Sequence, residues 1–301
     1  MKKCLLGLFV IMLFSCSQSD VAIKYNLPAP VSMELYHNGY YSSFDGKDEL
    51  VGTISSNFTK AIYSQSGDFL SYEREYLSDA SKGYHKNSMP LELSWRIPFL
   101  SVQSVEGQVN RVQSVRGYEK FIPDVVEKLP IKKHFKNQLR NQRFQLEFDR
   151  YEKRRWELGH LIGSKKVPTK GDITAELSNQ GRLPIPMLEV DSVISTGFRK
   201  LDKRRCFVYN VYYREREPFP YFMWEQHAYG IENAAALREF KPDSGSYYTH
   251  YSMAIDPKTG IPCQEREVKH GTIFVSNEKT KEKDEIKVNI TLENLYNIDQ
   301  L

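Results

Sequence analysis

Cysteine is scarce in this 301-residue chain, with four residues at positions 4, 16, 206 and 263. No Cys-x-x-Cys pair or Cys/His cluster occurs, so a zinc site built on thiolates is not expected. Long apolar runs are missing too. The most continuous, Leu5 to Phe14, is about half of what a membrane-spanning helix needs. Gly-x-Ser-x-Gly elbows, Walker-type loops, paired-glycine dinucleotide fingerprints and His-Glu-x-x-His are all absent, so no enzyme class announces itself and no cofactor is expected. The seven histidines, at 37, 85, 134, 160, 227, 250 and 270, are scattered. Glu157-Leu158-Gly159-His160 has the spacing that puts two ligands on one helical face, but it has no partner copy to complete a metal site. Net charge is only +4, from 42 Lys/Arg against 38 Asp/Glu, which is too balanced for a nucleic-acid partner.

What is present begins at the N-terminus. Lys2 and Lys3 precede the apolar run, the pattern of an export signal that is removed. The run closes on Leu13-Phe14-Ser15-Cys16, which resembles the lipobox of bacterial lipoproteins. The resemblance implies that residues 1–15 are cleaved and that Cys16 is lipidated as the first residue of the mature chain. A membrane lipid would then be its first partner, and a cell-envelope location follows. Phe14 is larger than the residue usual at its position. Ser17 stands where lipoproteins retained at the inner membrane often carry Asp, which implies the outer membrane. A plain signal peptide with a chance cysteine is the alternative. Residues 16–30, polar and ending in Leu27-Pro28-Ala29-Pro30, read as a tether.

Residues 31–301 read as one domain in three stretches. From 31 to 118 the pattern is strand and turn: Val31, Met33 and Leu35 alternate with polar neighbours, Asn38-Gly39 reads as a hairpin turn, and Gly67-Asp68 breaks a run. Leu91, Leu93, Trp95, Ile97 and Phe99 keep a period of two. From 119 to 170 the apolar spacing turns helical, with Ile131, Phe135 and Leu139 followed by a stripe through Phe144, Phe148 and Leu158. Fourteen Lys/Arg stand there against seven Asp/Glu, net +7. Lys132, Lys133, Lys153 and Arg154 are expected on a basic face, either simply solvated or set against anionic headgroups. From 171 to 301 a meander of strands returns, joined by short turns such as Asp256-Pro257-Lys258-Thr259-Gly260, where Gly260 is expected to be left-handed.

That order gives an α+β chain: a curved antiparallel sheet, half-barrel-like, enclosing a central helical segment. In layout it is similar to bacterial half-barrel lipoproteins and lipoprotein carriers. Cys206 and Cys263 are the only pair left in the mature chain, either a disulfide or two buried thiols. If large aromatics only partly fill the sheet, they leave a pocket lined by Trp95, Phe135, Phe148 and Trp224 for an apolar ligand. Full packing gives a solid core instead. The clusters Tyr209 to Tyr213, Tyr221 to Trp224 and Tyr247 to Tyr251 put rings on both strand faces, and the outward half would suit a glycan ligand. Three functions compete: a non-enzymatic binding or assembly lipoprotein, a glycan-binding lipoprotein, and an envelope hydrolase whose site assembles only in space. The first is favoured.

Overall fold

The structure, a computed structural model, describes residues 19–27, 29–44, 57–66, 69–77, 94–97, 137, 154, 156–186, 188–215, 240–277 and 279–298. Its strands are β1 (Asp20–Val21), β2 (Val31–Phe44), β3 (Asn57–Ser66), β4 (Phe69–Leu77), β5 (Ser94–Ile97), β6 (Val167–Pro168), β7 (Gly171–Asp172), β8 (Leu188–Leu201), β9 (Arg204–Glu215), β10 (Phe240–Ile255), β11 (Pro262–Asn277) and β12 (Lys283–Ile298). The short helix α1 covers Thr174–Asn179. Ten strands form one open antiparallel sheet in the order β5-β4-β3-β2-β12-β11-β10-β9-β8-β7, and β1 pairs with β6 apart from it. Two meanders therefore meet where β2 pairs with β12, and the chain between β5 and β7 joins one edge of the sheet to the other.

Local chemistry explains the turns. Asp202 takes a positive φ of 51° in the two-residue link from β8 to β9, a conformation Asp tolerates better than most residues. Between β10 and β11, Asp256 accepts hydrogen bonds from the Lys258 amide at 2.9 Å and the Thr259 hydroxyl at 3.0 Å. Gly260 closes that turn at φ 74°, left-handed as its sequence position suggests. A Cβ at Gly260 would sit 2.4 Å from a carbon of the Tyr25 ring, so glycine also lets the N-terminal segment lie on the turn. The helix α1, not foreseen in the sequence, starts where Asp172 accepts from the Thr174 amide and hydroxyl, and it buries Leu177.

Several boundaries differ from expectation. Asn38-Gly39 is no turn: β2 runs through it, with Asn38 opposite Glu293 and Gly39 opposite Leu292. A long partner strand overrides a local turn preference there. β11 likewise runs unbroken through Lys269-His270-Gly271. Residues 67–68 do separate β3 from β4. The stretches 102–117 and 221–229, and most of 119–153, lie outside the described residues.

The N-terminal residues from Ser19 onward pack into the domain rather than hanging from it. Val21, Ile23, Tyr25, Leu27 and Val31 are all buried in the same core as Leu158, Ile162, Phe207, Tyr209 and Tyr251. The Leu27 amide donates to Gln65 Oε1 at 2.8 Å and the Lys24 amide to the Pro257 carbonyl at 2.8 Å. Residues 19–27, expected as part of a tether, are thus packed into the domain.

Candidate functional site

The residues most able to do chemistry line the buried face of β9, β10 and β11. Register sets them in rows: Tyr209, Met253 and Glu265; then Val211, Tyr251 and Glu267; then Tyr213, Thr249 and Lys269. Because side chains alternate along a strand, Glu265, Glu267 and Lys269 share one face, and all three are buried.

Four charges form one cluster there. Lys269 Nζ lies 2.7 Å from Glu215 Oε1 and 3.1 Å from Glu267 Oε1, and Arg154 Nη2 lies 3.4 Å from the same Glu215 oxygen. The Tyr213 hydroxyl donates to Glu267 Oε1 at 2.8 Å. Burial alone would raise the Glu215 carboxyl, but Lys269 and then Arg154 outweigh it and hold the group at about 2. Two cations balance two carboxylates, which is how charge survives burial. In the same row the buried Thr249 hydroxyl has no hydrogen-bond partner among the described residues.

A second cluster surrounds His160. Its Nδ1 lies 3.3 Å from the Tyr25 hydroxyl, and its ring packs against Trp156 at 4.2 Å between centroids. Burial, helped by the Arg182 charge and opposed by Glu265, lowers its pKa to about 3, so the imidazole is neutral. Burial likewise pushes the Tyr25 hydroxyl up. Beside it the Tyr209 hydroxyl donates to the carbonyls of Leu158 and Gly159 at 2.7 and 2.9 Å, and the Tyr251 hydroxyl donates to Glu265 at 3.1 Å. A Cβ at Gly159 would stand 3.2 Å from Met253 Cε, so glycine lets the helical turn at 156–159 sit close on β10.

The opposite face is exposed in part among the described residues. Tyr212 and His250 stack at 4.6 Å with their planes 7° apart, His250 Nε2 meets Asn210 Oδ1 at 3.0 Å, and Tyr248 and Phe274 are exposed. Cys206 and Cys263 are free thiols, both buried beside Ala254. A bulge between Ala254 and Ile255 leaves Cys263 as the extra residue of β11, and that irregularity brings it into the same cluster as Cys206, two strands away. The hydrogen bond with Cys263 lowers the Cys206 thiol, while the same contact and burial raise Cys263.

The other sequence candidates are not gathered here. Trp95 lies on β5 at the sheet edge, its backbone opposite Tyr76, far in strand order from β9. Cys16, Phe135, Phe148 and Trp224 lie outside the described residues, as do His227, Lys132, Lys133 and Lys153. Arg154, expected on a solvated basic face, is instead buried and paired with Glu215. The charged row on β11 was missed in sequence because Gln264, Arg266 and His270 on its other face are polar too, so nothing marks which face is inward. Among the described residues no three His, Cys, Asp or Glu side chains are grouped to hold a metal, and no helix is long and apolar enough to cross a membrane.

No family model matches the chain, and no curated protein matches it. A solved structure of lipovitellin, described for its lipid–protein interactions, is similar at 8% identity and a TM-score of 0.34. That match covers 90% of this chain and 25% of the other.

Proposed function

We propose that the chain is a lipoprotein of the bacterial cell envelope, held at the outer membrane and anchored through Cys16. It acts as a non-enzymatic binding or assembly module. Its architecture in this reading is α+β, a half-barrel-like sheet curved around the helical segment. The observation that carries the reading is how the buried face of β8 to β11 is occupied. Leu158, Leu161 and Ile162 from the end of the helical stretch, and Ile23 and Tyr25 from the N-terminal segment, pack on Phe207, Tyr209 and Tyr251. The polar groups there bond largely to one another. A face so filled has little room for an apolar ligand, so recognition falls to the outer face. There Tyr248 and the Tyr212–His250 stack offer flat rings suited to a glycan.

The anchor is tested by metabolic labelling with a palmitate analogue. Wild type takes up label and Cys16→Ala does not; label persisting in the variant refutes the reading. A second reading, an envelope hydrolase, is favoured by one observation: the interior brings a neutral His160 near the charges of Glu265 and Arg182. Loss of a hydrolytic activity in His160→Gln, with the fold retained by circular dichroism, would promote it.

A further inference from the structure

The hairpin of β8 and β9 closes on Arg199-Lys200-Leu201-Asp202-Lys203-Arg204-Arg205. Arg199, Lys200, Lys203 and Arg205 are exposed, and none of the four stands in a salt bridge among the described residues. Arg204 is half-buried and has interactions of its own, so it adds no free charge. Asp202 is the one carboxylate of the hairpin end, and in the adjoining turn the charges of Asp256 and Lys258 cancel. The four exposed cations therefore outnumber the carboxylate that could offset them. Register adds a cost, because Lys200 stands directly opposite Arg205, and like charges facing across a strand pair repel. Charged residues often blunt the edge of a sheet, which would account for Arg199 and Lys200, since β7 covers β8 only at Ile194 and Ser195. It does not account for Arg205, because β9 lies between β8 and β10. Amid these cations Phe198 is 37% exposed, with the Arg205 guanidinium 4.2 Å from its ring centroid.

We propose, resting on the anchor reading above, that the β8–β9 hairpin is a second membrane contact, with its exposed cations on anionic phospholipid headgroups and Phe198 at the border of the acyl layer. Charge complementarity supplies the attraction, which acts within a Debye length of an anionic surface and relieves the repulsion between Lys200 and Arg205. The ring decides between lipid and an anionic glycan. A phosphorylated or sulfated chain would use the cations alone, whereas a bilayer offers apolar depth beside its charge and so takes Phe198 as well. The fold also puts the anchor within reach. The hairpin shares its end of the sheet with the Asp256–Gly260 turn, since Phe207 stands opposite Ile255. On that turn lies the N-terminal segment, through the Lys24 amide to the Pro257 carbonyl at 2.8 Å and the Tyr25 ring against Gly260. Eight residue steps from Lys24 back to Cys16 span at most about 29 Å. The other end of the sheet, with Lys281 and Lys283, is a full 16-residue strand away along β11, or about 50 Å. A membrane that holds Cys16 is therefore near the hairpin end.

The test is lysine footprinting on vesicles. The purified full chain is reconstituted into phosphatidylcholine vesicles with or without phosphatidylglycerol, acylated with a membrane-impermeant amine reagent and read by peptide mass spectrometry. With phosphatidylglycerol present, acylation of Lys200 and Lys203 is expected to be slower than that of Lys281 and Lys283 by about fivefold or more. On phosphatidylcholine alone the difference is expected to vanish. The double variant Arg199→Glu with Lys203→Glu, both at exposed positions, keeps Lys200 as reporter and is expected to lose its protection. Equal rates at both ends on the anionic vesicles would overturn the proposal, and so would protection that survives the charge reversal or is as strong without phosphatidylglycerol. Protection by dextran sulfate in solution, with none on anionic vesicles, would overturn it in favour of an anionic glycan. The same spectra report the N-terminal peptide. A chain with unmodified Cys16 refutes the anchor itself, whereas a lipidated Cys16 with equally reactive lysines refutes only the hairpin contact.

Discussion

On the same buried face, β9 and β11 solve burial in opposite ways. β9 presents Phe207, Tyr209, Val211 and Tyr213, whose rings and methyls gain from leaving water, with each tyrosine hydroxyl given an acceptor. β11 presents Glu265, Glu267 and Lys269 at the same depth, and these are tolerated only because each is paired. One surface is held by area, the other by complementarity. The first should degrade gradually under substitution and the second abruptly. Arg154 and Tyr209 both tie this sheet to the end of the helical stretch, so the comparison also concerns what holds the two layers together.

The largest expected effect comes from breaking the charged side. Glu215→Ala leaves Lys269 and Arg154 buried without their shared carboxylate and should cost about 3–5 kcal/mol in chemical denaturation. If the loss is under 1 kcal/mol, the charges are not mutually dependent. On the aromatic side, Tyr209→Phe keeps the ring but removes the hydroxyl that donates to the carbonyls of Leu158 and Gly159, at a cost of about 1–3 kcal/mol in the same assay.

Acid separates two groups by the window in which each acts. His160 sits at about 3 when folded and at its ordinary 6.5 when unfolded. The unfolded chain therefore binds a proton that the folded one refuses, and stability drains away as pH falls from about 6.5 toward 3. Glu215 has its carboxylate stabilised, so its contribution is full above the ordinary carboxylate range and disappears only as pH falls toward about 2. Melting temperature followed between pH 7 and 5 should fall in wild type and stay flatter in His160→Gln. Parallel curves would mean that His160 is not the group responsible. The smallest effect belongs to the open face, where Tyr248→Ala and Phe274→Ser should each shift stability by no more than about 0.5 kcal/mol.

How far the sequence could be read follows the same division. Strands with one apolar face, such as β8 and β9, and turns with a chemical reason, such as Asp256 to Gly260, are visible in the residues. The N-terminal segment carried its signal openly, since Val21, Ile23, Tyr25 and Leu27 alternate with Ala22, Lys24 and Asn26. The two prolines that follow made it read as a tether. Asn38-Gly39 shows the reverse error, a strong local turn pair overruled by twelve residues of pairing between β2 and β12. The His160 and Glu215 clusters include contacts between residues 50 to 135 positions apart, and only the tertiary fold brings such groups together.

The central claim is that this domain is held to a membrane by its own first residue. Mass spectrometry of the N-terminal peptide of the mature protein tests it directly. The account predicts a peptide beginning at Cys16 with a diacylglyceryl group on its sulfur. A mature chain that begins elsewhere, or begins at Cys16 with a free thiol, would contradict it.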